Sequence, residues 1–299
     1  MGGSAAGGST TELIAAAVSW SFCSIGMTVL NKMSVQKTRA PIAVVIIQMV
    51  ATCVVAAASR DVRFGAGWHL WAASVPLLFV LMMVTAMCAL QYVTVGTFVV
   101  VRNLGPLLTL LVETTLHRPD NLSCNLKTTA ATAAIGLGVW LYEANEVEYS
   151  FVGLALLIAN LFCAVAERMV QRHLLSVQAV DVSRPGLMIL NNGIGAALAF
   201  VVLSFVEPKQ WHYLSHAIKK KPNCSVAVAL SCIVGCAISY TGLWLQRLVT
   251  ATSFMVLGSL VKVLVIVWGI FMFGEAQGFL SILGAALSVG GAYAYARTR

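Results

Sequence analysis

VGTFVVVRNLGPLLTLLVE, Val95 to Glu113, is an apolar run that carries one cation, Arg102, near its middle. Its length matches the ~20 residues a helix needs to cross a bilayer, and it lacks the ~10-residue alternation of a barrel strand. Nine other windows read the same way. The spans fall at about 12–31, 41–59, 69–92, 94–116, 125–142, 150–171, 186–206, 225–245, 250–273 and 277–296. The expected fold is an all-α membrane protein of ten transmembrane helices, with residues 1–11 as a flexible tail and 12–299 as a single domain.

Composition agrees. Of the 299 residues, 59% are apolar without counting 24 glycines, and 10% are charged, against ~25% charged in a soluble domain. So little polar material cannot coat a globule, whereas a lipid-facing surface needs none. The net charge of +8 resides mainly in short connections and not along one face, which argues against a nucleic-acid partner. The eight cysteines show no C-x-x-C and no paired spacing, so they are read as packing residues, with no zinc site or disulfide framework. H-E-x-x-H, G-x-S-x-G and P-loop patterns are absent and the five histidines lie in or beside links, so neither enzyme chemistry nor a cofactor is expected.

Connections after even-numbered spans, with the C-terminus, hold ten Lys and Arg, including Arg60, Arg63, Arg168, Arg172 and Arg184. The other side holds seven, including Lys32 and the Lys219–Lys221 triplet. By the positive-inside rule both termini face the cytosol. The tail has no basic residue ahead of the first apolar run, so the first span is read as a retained anchor.

Leu90 to Phe98 reads LQYVTVGTF and Leu245 to Phe254 reads LQRLVTATSF. With one residue inserted they share five identities, and they lead into the fourth and ninth spans. Five helices of separation in a set of ten is what two five-helix halves would give, at about 12–142 and 150–296. An odd number per half inverts the second copy, an arrangement characteristic of transporters. Chance likeness between two apolar helices is the other reading.

Arg102 and Lys262 lie well inside the fourth and ninth spans. A cation at mid-helix costs ~2.5–3.5 kcal/mol on insertion scales, so it faces the bundle interior and meets a partner. Glu113 and Glu167 are placed near cytosolic helix ends, within reach of water, which leaves surplus positive charge for an anionic ligand to neutralise. Superposing Phe98 on Phe254 sets Arg102 on Gly258 and Lys262 on Pro106, one turn apart on equivalent faces. Gly258 and Ser259 put bare backbone and a hydroxyl beside the lysine, as close approach of a phosphate requires. Asn191 and Asn192 carry the donors and acceptors that read a nucleobase edge; interhelical packing is their other use. Gly284, Ser288, Gly291 and Ala292 read as close helix packing or as a homodimer seam.

These residues give the chain its resemblance to the nucleotide-sugar transporters of the drug/metabolite transporter superfamily, closest to the Golgi GDP-mannose and GDP-sugar transporters. The likeness spans nearly the whole chain and is most specific in Val95 to Glu113, in LNN at Leu190 to Asn192, and in VTATSFMVLGSLVK at Val249 to Lys262. The family carries an FYNN motif whose asparagines recognise guanine, and a GALNK motif whose small residues and lysine contact sugar and phosphates. By position, Asn191 and Asn192 match the first, and Gly258, Ser259 and Lys262 the second. Ile189, Leu190 and Val261 depart from it, replacing Phe, Tyr and Asn.

The resemblance implies a Golgi or other endomembrane protein that exchanges a nucleotide sugar, most similar to GDP-mannose, for a nucleoside monophosphate such as GMP. A UDP-sugar transporter, an organic-phosphate exchanger, a multidrug exporter and a membrane scaffold are the alternatives.

Overall fold

The computed structural model describes residues 10–102, 126–143, 150–220, 222–249 and 278–297, with isolated positions between 104 and 112 and between 254 and 261. The chain runs through α1 (Thr10–Thr38), α2 (Pro41–Ala57), α3 (Trp68–Tyr92), α4 (Val95–Arg102), α5 (Leu126–Glu143), α6 (Phe151–Arg172), α7 (Arg184–Ile189), α8 (Gly195–Val206), α9 (Gln210–Lys220), α10 (Pro222–Leu248) and α11 (Phe279–Arg297). Two π-helical turns, His173–Val177 and Leu190–Ile194, extend α6 and join α7 to α8. No strand occurs among the described residues, where the sole β feature is an isolated bridge between Phe64 and Val182.

Among the described residues, five segments are long and apolar enough to cross a membrane: Thr10–Thr38, Trp68–Tyr92, Phe151–Leu175, Arg184–Val206 and Asn223–Leu248. Pro41–Ala57 and Ile282–Gly291 are shorter apolar helices. The outer surface is apolar, with Phe22, Phe162 and Phe205 at 77, 57 and 85% exposure. Large patches of this kind need a nonaqueous neighbour. Part of the fourth expected span and most of the ninth, with Glu113, Cys124, Ser259 and Lys262, lie outside the described residues.

Local chemistry sets the helix starts. Ser150 and Ser183 accept from Gly153 and Gly186 amides at the N-termini of α6 and α7, both at 3.2 Å. α2 begins at Pro41 behind Ala40, which cannot cap it. Gln210 does so from α9, its Oε1 accepting from the Ile42 and Ala43 amides at 2.9 and 3.2 Å. The longest hydrophilic link is therefore largely a helix, anchored by buried Gln210 and Leu214.

α1 packs along α10, α3 along α6, α5 along α11, and α2 along α7 and α8. The last span's small residues are used inside the chain: a Cβ on Gly138 of α5 would lie 2.4 Å from the Ser288 amide nitrogen and 2.6 Å from the Gly284 carbonyl. One face of the molecule carries the start of α1 and the joined loops around Phe64 and Val182, where the Gly65 amide donates to the Asp181 carbonyl at 2.7 Å. The opposite face carries the α1–α2 turn, Val93 and α9.

Lys32, expected in a connection, lies within α1 and is 6% exposed. Its ammonium donates to the Leu90 and Val93 carbonyls at 3.0 and 2.7 Å. It thereby compensates the carbonyl-rich end of α3.

Candidate functional site

A cavity of about 190 Å³ opens among α1, α2, α3, α4, α6, α10 and the π-turn between α7 and α8. Arg102, Asn191 and Asn192 all line it, so three of the expected site residues converge. Gly258 lies against Trp20, also a wall residue: a Cβ there would stand 3.3 Å from the indole Cη2. Ser259 and Lys262 are outside the described residues.

One wall carries charge that sequence reasoning misplaced. Glu167 does not reach water at a helix end; it is 0% exposed and lines the cavity with Arg168 and Arg102. The apolar window ends near residue 171, but the helical path continues through the π-turn to Val177. Glu167 therefore sits roughly 15 Å from the end of its helix, at about 1.5 Å per residue. Arg168 Nε is 3.2 Å from Glu167 Oε2. The Gln171 amide donates to Glu167 Oε1 and its Oε1 accepts from Arg168 Nη1.

Each guanidinium also covers a ring, Arg102 over Phe98 at 5.3 Å and Arg168 over Phe254 at 4.7 Å. Phe98 and Phe254 are the residues matched in the internal repeat. Trp20 completes this wall, its ring centroid 4.5 Å from that of Phe254. Two cations against one carboxylate leave the described wall with one excess positive charge.

The asparagine pair sits on the π-helical turn, at 5 and 3% exposure. A π-turn widens the helix and is frequent at functional sites. Asn191 faces Trp71 Nε1 at 2.6 Å. An indole N–H only donates, so the Asn191 oxygen must take that bond and its NH₂ end is left over. Asn192 faces the Met188 carbonyl at 2.9 Å, which only accepts, so its nitrogen is turned there with one N–H engaged and its oxygen is left. The pair thus offers a donor beside an acceptor. Complementary groups adjoin on the edge of a nucleobase, whereas a phosphate oxygen only accepts.

Spacing could have pointed to the asparagines and Arg102. Arg168, Glu167 and Gln171 gave no such signal, since an i, i+1, i+4 polar set at the edge of an apolar window also describes a solvated helix end. Gln48 and Asn31 of the opposite wall were missed as isolated polar residues in apolar helices.

No family model matches the chain. A GDP-mannose transporter of Arabidopsis thaliana is 26% identical over 235 residues, 75% of this chain and 68% of that protein. A second GDP-mannose transporter from the same plant is 27% identical over 73% of this chain and 59% of its own. Its GDP-fucose transporter is 27% identical over 64% and 56%. The matches thus span about half to two thirds of these relatives' lengths. A solved crystal structure, 18% identical, superposes with a TM-score of 0.61 over 95% of this chain and 98% of its own; that likeness concerns the fold alone. The chain is similar to the nucleotide-sugar transporters, and within them to those for GDP-sugars.

Proposed function

We propose that this protein exchanges a nucleotide sugar, GDP-linked and similar to GDP-mannose, for the matching nucleoside monophosphate. It does so by alternating access in a Golgi or other endomembrane, with both termini cytosolic. The observation that carries this reading is one cavity with a cation-rich wall at Arg102 and Arg168 and a donor–acceptor asparagine pair on a π-turn. A nucleotide has an anion for the first and a base edge for the second. Gly258, Ser259 and Lys262 add backbone, a hydroxyl and a further cation to the phosphate side.

Ten helices in two inverted halves, about 12–142 and 150–296, fit the packing. Counting α1 as the first span and α10 as the eighth, the pairs are first with eighth, third with sixth, fifth with tenth and second with seventh. Advancing every index by five turns this set of pairs into itself, as an inverted duplication requires.

Exchange follows from charge. A nucleotide sugar and a monophosphate each carry about two negative charges near neutral pH, since a monoester's second pKa is ~6. One cationic site serves both, and the empty site resists reorienting through hydrocarbon. A cation exporter would want an unmatched carboxylate, whereas Glu167 is outnumbered by Arg102 and Arg168. An organic-phosphate exchanger would leave the asparagine pair without a use.

Uptake of labelled GDP-mannose into proteoliposomes tests the proposal. Vesicles preloaded with GMP should exceed empty vesicles by about tenfold or more, and Lys262→Ala and Asn192→Ala should each reduce uptake to background at normal expression. Equal uptake with and without GMP would overturn exchange. Normal uptake by both variants would overturn the site.

A further inference from the structure

Away from the guanidinium wall and the asparagine pair, the cavity has a third polar corner, made by Asn31 of α1 and Gln48 of α2. Ser231 of α10 sits behind them, wholly buried. Its hydroxyl donates its one proton to the Val228 carbonyl at 2.7 Å, so it meets Gln48 only as an acceptor. The Gln48 nitrogen must therefore be the atom 2.9 Å from Ser231 Oγ. The same nitrogen lies 3.0 Å from Asn31 Oδ1, which fixes Asn31 in turn with its oxygen toward Gln48. Amide orientations that density or sequence alone leaves open are set here by one serine. What remains is Gln48 Oε1, on a side chain 3% exposed, with no hydrogen-bond partner among the described residues. Buried acceptors rarely stay unmatched without a reason.

We infer that the Gln48–Asn31 corner is a subsite for the hydroxyl-bearing sugar of the cargo, an inference that rests on the nucleotide-sugar reading above. Gln48 Oε1 needs a donor and the Asn31 NH₂ an acceptor; a hydroxyl is both. A phosphate oxygen only accepts and would oppose the glutamine oxygen. An apolar group would leave both amides bare. Depth separates this corner from the base-reading pair. By residue count from the α1–α2 face, Gln48 lies seven residues into α2, Arg102 seven into α4 and Arg168 seventeen into α6, so the two arginines span roughly 15 Å of depth with Gln48 at the Arg102 end. Asn191, seven residues into the path that begins at Arg184 on the other face, lies near the Arg168 level. With the base at Asn191 and Asn192 and the diphosphate along the arginines from Arg168 toward Arg102, the remaining end of the cargo reaches the Gln48–Asn31 corner.

The test measures affinities of GDP-mannose and GMP for the purified full-length protein, as wild type, Gln48→Leu and Ser231→Ala. Gln48→Leu should lower the ratio of GDP-mannose affinity to GMP affinity roughly three- to tenfold, the worth of about one hydrogen bond. Ser231→Ala keeps the glutamine but frees it to turn, and should lower the ratio about twofold; it decides the matter if Gln48→Leu fails to fold. A ratio unchanged in both variants, whether the two affinities hold or fall together, overturns the sugar subsite alone. A wild type that binds neither compound overturns the nucleotide-sugar reading and the subsite with it.

Discussion

Glu167 shares a cavity wall with Arg102 and Arg168, so an amide in its place leaves two guanidiniums facing each other without a counter-charge. Breaking a dry buried pair costs ~3–5 kcal/mol, and access to the cavity lowers that to about 1–3 kcal/mol. Glu167→Gln should therefore melt several degrees below wild type without ligand and regain most of the difference with saturating GMP, measured by thermal unfolding. A variant as stable as wild type, or one that GMP fails to restore, would show that the carboxylate does not balance the site. This residue also shows where legibility ended. Arg102, Asn191 and Asn192 stood out because each is expensive inside an apolar helix. Glu167 and Arg168 were hidden because the apolar window stops about six residues before the helical path does.

Helices were legible where apolar runs are continuous, and the described starts and ends of α2, α3 and α6 fall close to the expected windows. The π-turn at Leu190–Ile194 was not, because one extra residue per turn leaves no mark in composition. Nor was α9, whose polar face made its segment read as a link. Close packing is an element-scale property that glycine does reveal. Gly138 of α5 abuts the backbone of α11, where a Cβ would stand 2.4 Å from Ser288 N, whereas a Cβ on Gly136 meets nothing within 4 Å. Gly138→Ala should destabilise by about 1–3 kcal/mol, and Gly136→Ala should be neutral or stabilising by up to ~1 kcal/mol. Unfolding of both variants under one set of conditions checks the contrast, and equal effects would refute the α5–α11 seam.

Taken as a whole molecule, the chain returns to one face between α2 and α3 and between α6 and α7, where the Phe64–Val182 bridge joins the two loops. Lys219 ends α9 on the opposite face. In a chain stripped of its eight native cysteines, a cysteine replacing Asp61 should react with an impermeant maleimide from the cytosolic side, and one replacing Lys219 from the lumenal side only. Labelling of both from one side would contradict the proposed topology.

All of the proposed exchange depends on an anion completing the charge of the central cavity. Affinities of GMP and guanosine for the purified protein compare the same base with and without its phosphate. The expected result is GMP binding at least tenfold tighter, with most of that advantage lost in Arg168→Gln. Guanosine binding as tightly as GMP, or neither binding, would contradict the proposed role of the arginine wall.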